Sequence, residues 1–331
     1  MQARLPLTLA LSSLLLAACG GGGNSSRAVP TPPAKNHDGS PVTGVITARF
    51  DPTNSVIPLP NNLLLSGTKD LTLNIPVANP NNYGDPQVAL NALDGWSTVG
   101  PWSFSFSAAP KASTVVAGQS VRLFEVTLTG PGGGVTSVVR ELASPAEYVV
   151  APQSSDASGR SWAVVPTKPL KQLTSYMAVV TDGVTDAVGN DATPDQTYFL
   201  AKRTAPLINP TSETGKPTCT TNATSTDPLL PIGNACSLEP LRLLTNSQLA
   251  AAAAKGIAPG SVVVSWVATT QGVTPALQAL AAKIAQTPAP MTMVAPTGKT
   301  LADLGLGLQP IANIYVGAIY VPYYLGIPSQ Q

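Results

Sequence analysis

The chain has 331 residues, with 33 prolines, 28 glycines and only 11% charged side chains. Its 18 basic and 17 acidic residues leave a net charge of +1 with no basic cluster, so nucleic acid and electrostatic docking on anionic lipid are poor partners. Abundant Pro and Gly with little charge suit an extracellular β-rich protein with many tight turns, and argue against a cytosolic helical enzyme.

The chain opens with Arg4 and an apolar stretch over 5–16, interrupted by Pro6, Thr8, Ser12 and Ser13. That stretch is short of the about 20 apolar residues a bilayer span needs, but it has the length of a cleaved signal. Leu16-Ala17-Ala18-Cys19 follows, then four glycines. It reads as a lipoprotein signal: small residues admit a peptidase, and the Cys19 thiol accepts a diacylglyceryl group. Several acyl chains on one residue hold a protein at a membrane far better than one. The alternative is an ordinary secretory signal with an incidental Cys. Gly20 rather than Asp follows Cys19, which resembles lipoproteins sorted to the outer membrane of a Gram-negative cell. The expected location is therefore the outer membrane or cell surface, with the membrane as partner through the Cys19 lipid. After a signal peptide over 1–18, residues 19–41 are Gly, Ser, Pro and Asn rich and are expected to form a flexible tether.

Residues 42–202 read as short strands separated by turns. Val42, Val45, Ile46, Ala48 and Phe50 lead to a turn opener at Asp51-Pro52. Residues 58–65 (PLPNNLLL) read as a proline-fixed extended segment and not a helix. Leu71, Leu73 and Ile75 alternate as a half-buried strand, and 88–93 is a helical turn at most. Trp102, Phe104 and Phe106 alternate with Ser103 and Ser105, a strand buried on one face. Strands are also expected over 121–128 and 135–140, joined by the glycine-rich turn at 130–134, then at 148–150, 162–165 and 176–180. Strands at roughly ten-residue spacing argue a β-sandwich.

Composition shifts over 203–238, and then the period changes. A helix is expected over 238–255, stopped by Gly256, with Leu241, Leu244 and Gln248 in its pattern. A strand follows over 261–270. A second helix starting at Thr274-Pro275 has Leu277, Leu280, Ala281 and Ile284 on one face. A short strand at 291–295, a small turn or helix at 300–304 and a tyrosine-rich β stretch over 311–325 follow, so that 203–331 reads as a disulfide loop plus a small α+β unit.

Of three cysteines, lipidation of Cys19 leaves Cys219 and Cys236. An even pair in an oxidising compartment reads as a disulfide. The rival readings are two free thiols or a metal pair, although no His or further Cys lies nearby to complete a zinc site.

The segments FDPTNSVIPLPNNLLL, WSTVGPWSFSFSA and SYMAVVTDGVTDAVGN resemble the N-terminal region of bacterial virulence factor lipases, large surface lipoproteins that include lysophospholipases. The last, with Pro169, Leu170, Leu173, Tyr176, Val180, Asp186, Gly189 and Asn190, is similar to the end of a bacterial Ig-like domain. VGAIYVPYYLGIPS resembles the stretch just before the catalytic domain of those lipases. The resemblance runs from about 45 to 328. It implies an Ig-like β-sandwich followed by a small α+β unit.

It also implies a Ser-His-acid triad on an α/β-hydrolase domain, whose nucleophile needs a Gly-x-Ser-x-Gly elbow. The sequence contains none. Its nearest approach, Gly118-Gln119-Ser120-Val121-Arg122, ends in Arg and reads as a turn entering a strand. The single histidine, His37, falls in the expected tether, where a base could be neither near a nucleophile nor oriented by a third group. No lipase activity is expected of this polypeptide, and no catalytic residue or cofactor is assigned. Asp182, Asp186 and Asn190, with Asp191 and Asp195, could offer oxygens to Ca²⁺, but their spacing does not fit an EF-hand loop; Asx and Gly turn chemistry is the plainer account. Tyr315, Tyr320, Tyr323 and Tyr324 could form a lipid- or partner-facing strip, or pack against a catalytic domain.

The function expected is a non-catalytic N-terminal module that presents or scaffolds an absent α/β-hydrolase domain. Ending at Gln331, it reads as part of a truncated or split lipase, with a hydrolase reading frame expected downstream. The alternative is an autonomous Ig-like surface binding or adhesion lipoprotein.

Overall fold

The computed structural model describes residues 35–65, 72, 77–82, 84–91, 93–209, 219–286, 292–307, 309 and 311–319. Cys19, most of the expected tether, the expected strand at Leu71, Leu73 and Ile75, and Tyr320, Tyr323 and Tyr324 lie outside the described residues.

The alternating segments become strands of two antiparallel sheets. One has the order β4 (Val135–Glu141), β3 (Val121–Leu128), β7 (Ser175–Thr181), β9 (Val262–Thr269). The other runs β2 (Trp102–Ser105), β6 (Ser161–Pro166), β5 (Tyr148–Pro152). A parallel pair, β1 (Ile46–Ala48) with β8 (Ala192–Pro194), closes one end. The alternation of Trp102 and Phe104 with two serines has the expected effect: both aromatics face inward and pack on Trp266 of β9, ring centroids 6.2 and 5.9 Å apart. Offset aromatic contacts of this kind tie two sheets beyond the area they bury.

All eight positions of β9 are buried. Successive side chains face opposite sides of a sheet, and both sides are covered here. Trp266 meets the second sheet, while Ser265 shares hydrogen bonds with the Tyr198 hydroxyl of α2 (Gln196–Ala201) and Gln248 of α3 (Ile232–Ala253). A strand covered on both faces reads as a continuous apolar run, which is why VVVSWVAT lacks alternation.

β9 lies beyond the seam expected at 202/203 and is hydrogen-bonded to β7 of the sandwich. Leu249, Ala252, Ile257 and the β9 side chains share one hydrophobic core with the strands of 46–180. The sandwich is followed by a small α+β segment, but β9 is an edge strand of the sandwich itself. Hydrogen bonding between β7 and β9 links residues about 85 positions apart, a pairing no local pattern announces.

Four local elements also differ from the reading of the sequence. Residues Asn62–Leu65 form a 3-10 turn: the Asn61 side chain accepts from the Leu63 N–H, an Asx contact that starts a turn. The β8 strand and α2 were not expected; Asp195 caps α2 by accepting from the Thr197 N–H, which was the available signal. Helix α3 begins at Ile232, six residues before the expected start at 238. Its buried stripe is Ala235, Glu239, Arg242, Thr245, Leu249 and Ala252, so Leu241 and Leu244 flank the buried face. A stripe containing a Glu and an Arg, with Pro240 inside the helix, does not look like a core face. At its end Gly256 takes φ 76° and the Ile257 N–H returns to the Ala252 carbonyl, a left-handed stop that favours glycine.

Cys219 and Cys236 are bridged, Cα–Cα 5.7 Å. The bridge pins residue 219 to the first turns of α3, beside a small core of Leu207, Ile208 and Ala235. Beyond β9 come α4 (Pro275–Gln286) and a hairpin of β10 (Thr292–Thr300) and β11 (Asn313–Ile319), close to their expected places.

Candidate functional site

Ser120 is the serine of the Gly118-Gln119-Ser120 stretch. It is buried, and its hydroxyl donates to the Thr114 carbonyl at 2.6 Å and accepts the Val116 N–H at 2.8 Å. It closes the turn that enters β3. His37 does not lie in a free tether: its Nδ1 is 2.6 Å from Asp191 Oδ1, and its backbone N–H donates to Asp191 Oδ2 at 2.5 Å. The Asp191 bond raises the His37 pKa above 6.5 against a smaller loss from burial. An imidazole oriented by a carboxylate has the form of a general base with its orienting group. Among the described residues, however, no hydroxyl is hydrogen-bonded to it.

In the stretch of Asp182, Asp186 and Asn190, the side-chain oxygens of Asp186 and Asn190 are taken by N–H groups of the turn and of Thr43. Asp186 accepts from the backbone of Val188 and Asn190 and from Asn190 Nδ2, at 2.7 to 3.0 Å. Burial pushes the Asp186 carboxyl up, but these three bonds outweigh it and hold the pKa below the ordinary range. Asn190 Oδ1 accepts both the N–H and the hydroxyl of Thr43. Asp182 is different: burial raises its pKa, and neighbouring Asp191 adds to the effect. Among the described residues no three His, Cys, Asp or Glu side chains gather to hold a metal ion. Asp186 and Asn190 thus serve turn geometry, and Asn190 with Asp191 holds residues 36–43.

The remaining candidate surface is apolar. On α4, Leu277 is 65% and Ile284 50% exposed. On the hairpin, Met293, Val294, Tyr315, Val316 and Ile319 are all more than half exposed. The face that helical spacing marked as buried on α4 is uncovered, and β10 and β11 expose nearly every described position. An isolated two-stranded hairpin is marginal in water, and contiguous exposed apolar side chains mark interaction surfaces. A shallow groove of about 330 Å³ runs along α3 past Leu63, Leu238, Leu241 and Leu244. No helix among the described residues is long and apolar enough to cross a membrane.

Among solved structures, the chain is similar to the N-terminal part of the bacterial S-layer protein SbsC, 18% identical over 29% of this chain and 19% of that one, at a TM-score of 0.20. A longer SbsC structure matches at 18% identity over 29% of this chain and 11% of that one, at a TM-score of 0.21. The chain thus spans a fifth or less of the solved structures it matches. No curated protein matches it. The family model described as bacterial virulence factor lipase N-terminal matches residues 44–215, from β1 through α2, more than half of the sequence. The chain belongs to the bacterial virulence factor lipase N-terminal family.

Proposed function

We propose that this chain is the non-catalytic N-terminal module of a membrane-anchored extracellular lipase-like lipoprotein, and that it presents a separate α/β-hydrolase domain. The observation that carries the reading is the uncovered apolar surface of α4 and the β10–β11 hairpin, which follows a sandwich of the lipase N-terminal family. A rigid sandwich with an unpartnered apolar appendage suits a mount. Tyr315 and Val316 would lie at the centre of that contact. Cys19, lipidated, would hold the module at the outer membrane or cell surface.

The test is to purify the chain and mix it with a separately purified α/β-hydrolase domain of a bacterial virulence factor lipase. Binding is expected, together with a gain in thermal stability of the hydrolase. Tyr315→Lys with Val316→Asp should weaken binding at least tenfold while moving the chain's own melting temperature by under about 2 °C, because exposed substitutions change stability little. The chain alone should hydrolyse esters at the background rate. Absence of binding, equal binding by the double variant, or ester hydrolysis lost on Ser120→Ala would each overturn the reading. Membrane attachment is tested separately by Cys19→Ala, which should move the protein from the membrane to the soluble fraction.

A further inference from the structure

Residues 35–44 lie over the 186–191 turn and are fastened almost wholly by polar bonds. Only Asn36 is buried among them. Asp191 is the centre of the fastening: its carboxylate takes the His37 N–H and faces His37 Nδ1, and its own N–H donates to Asn36 Oδ1 at 3.0 Å. A second point is Asn190 Oδ1, which takes the Thr43 N–H at 2.7 Å. The backbone then passes so close to this turn at Gly44 that an added Cβ would stand 2.9 Å from Asn190 Nδ2. Two residues later the character changes. Ile46 and Ala48 are fully buried and paired with β8. The firmly held sandwich therefore starts at β1, and the segment before it can open without disturbing the core.

The chain has one histidine, and it sits at the main fastening point. We propose that residues 35–44 form a pH-responsive strap, closed when His37 is protonated and opening when it is neutral. Opening would add these residues to the chain that precedes the sandwich, up to about 33–36 Å if fully extended. The charged groups facing His37 are Asp191, Asp182 and Asp38, with Lys202 acting against them from the end of α2 beside Asp182. The His37 pKa is raised in the folded protein, so the protonated pair contributes fully below about 6.5 and its contribution is lost as pH rises through the raised value. The neutral imidazole can still donate from Nδ1, so the strap loosens and does not detach outright. His37 is more than half exposed, and a surface pair of this kind supports a modest effect. The inference holds whether or not Cys19 carries lipid.

Hydrogen exchange on the full chain tests it, with rates corrected for intrinsic exchange at each pH. From pH 5.5 to 8.5, protection of the His37, Thr43 and Asp191 amides should fall by about two- to fivefold, while that of β7 amides stays constant. His37→Gln keeps a donor that does not titrate, so its strap protection should not vary with pH. Equal protection of the wild-type strap at both pH values would overturn the proposal, as would a pH-dependent fall that persists in His37→Gln.

Discussion

Arg242 shows what a single side chain does here. It and Glu239 are 5% and 3% exposed and lie one turn apart on α3. Arg242 donates to both Glu239 oxygens and to the Thr204 carbonyl at 2.8 Å, while Glu239 accepts the Leu207 N–H at 2.8 Å. The pair thus fixes 204–207 on the helix by satisfying backbone groups that would otherwise be buried without partners. Arg242→Ala leaves a buried carboxylate uncompensated, and we expect a loss of about 3–5 kcal/mol in urea unfolding. Glu239→Gln keeps an acceptor for the Leu207 N–H and should cost less. Nothing local marks this pair: Glu and Arg three apart on a helix ordinarily face water, and only the path of 203–208 across α3 makes them internal.

At the scale of elements, the disulfide and α3 act together. The bridge closes a loop with a sequence separation of 17 beside a cluster of only three buried apolar residues, Leu207, Ile208 and Ala235. In the chain-entropy model such a loop contributes about 3 kcal/mol. Cys219→Ser with Cys236→Ser should lower stability by about that amount and raise protease cleavage over 219–230, with the sandwich strands protected as before. The bridge matches the pairing expected from cysteine arithmetic, because with Cys19 set aside two cysteines can pair in one way. Element types were legible for a similar reason: Trp102 and Phe104 alternate with serines, and Gly256 stops a helix. The start of α3 was not, because its first turns bury Ala235 beside Cys236 and carry no apolar stripe of their own. On α4 the stripe was legible, but what covers it was not, since periodicity names an apolar face and never its partner.

For the whole molecule, β9 decides where the folding unit ends. It supplies an edge strand of the four-stranded sheet and the indole against which Trp102 and Phe104 pack. A fragment of residues 35–203 would leave β7 with an open edge and the inner face of the second sheet in water. It should show no cooperative thermal transition. A fragment of residues 35–286 keeps α3 and β9, loses only the exposed hairpin, and should melt within about 3 °C of the full chain. Cooperative melting of the shorter fragment would show that the sandwich does not depend on β9. The family match ends at residue 215, before β9, so the matched segment and the sandwich have different limits.

The sequence by itself determined the β-rich class, most strand positions, the disulfide pair and the family, because alternation, turn residues and cysteine spacing are local properties of a chain. It also showed that a serine elbow is missing. Tertiary structure alone decided that β9 joins the sandwich, that Glu239 and Arg242 are internal, and that His37 is fastened to Asp191 across 154 positions. Those facts rest on contacts between distant segments, and a one-dimensional pattern carries no information about which distant segment will supply the partner.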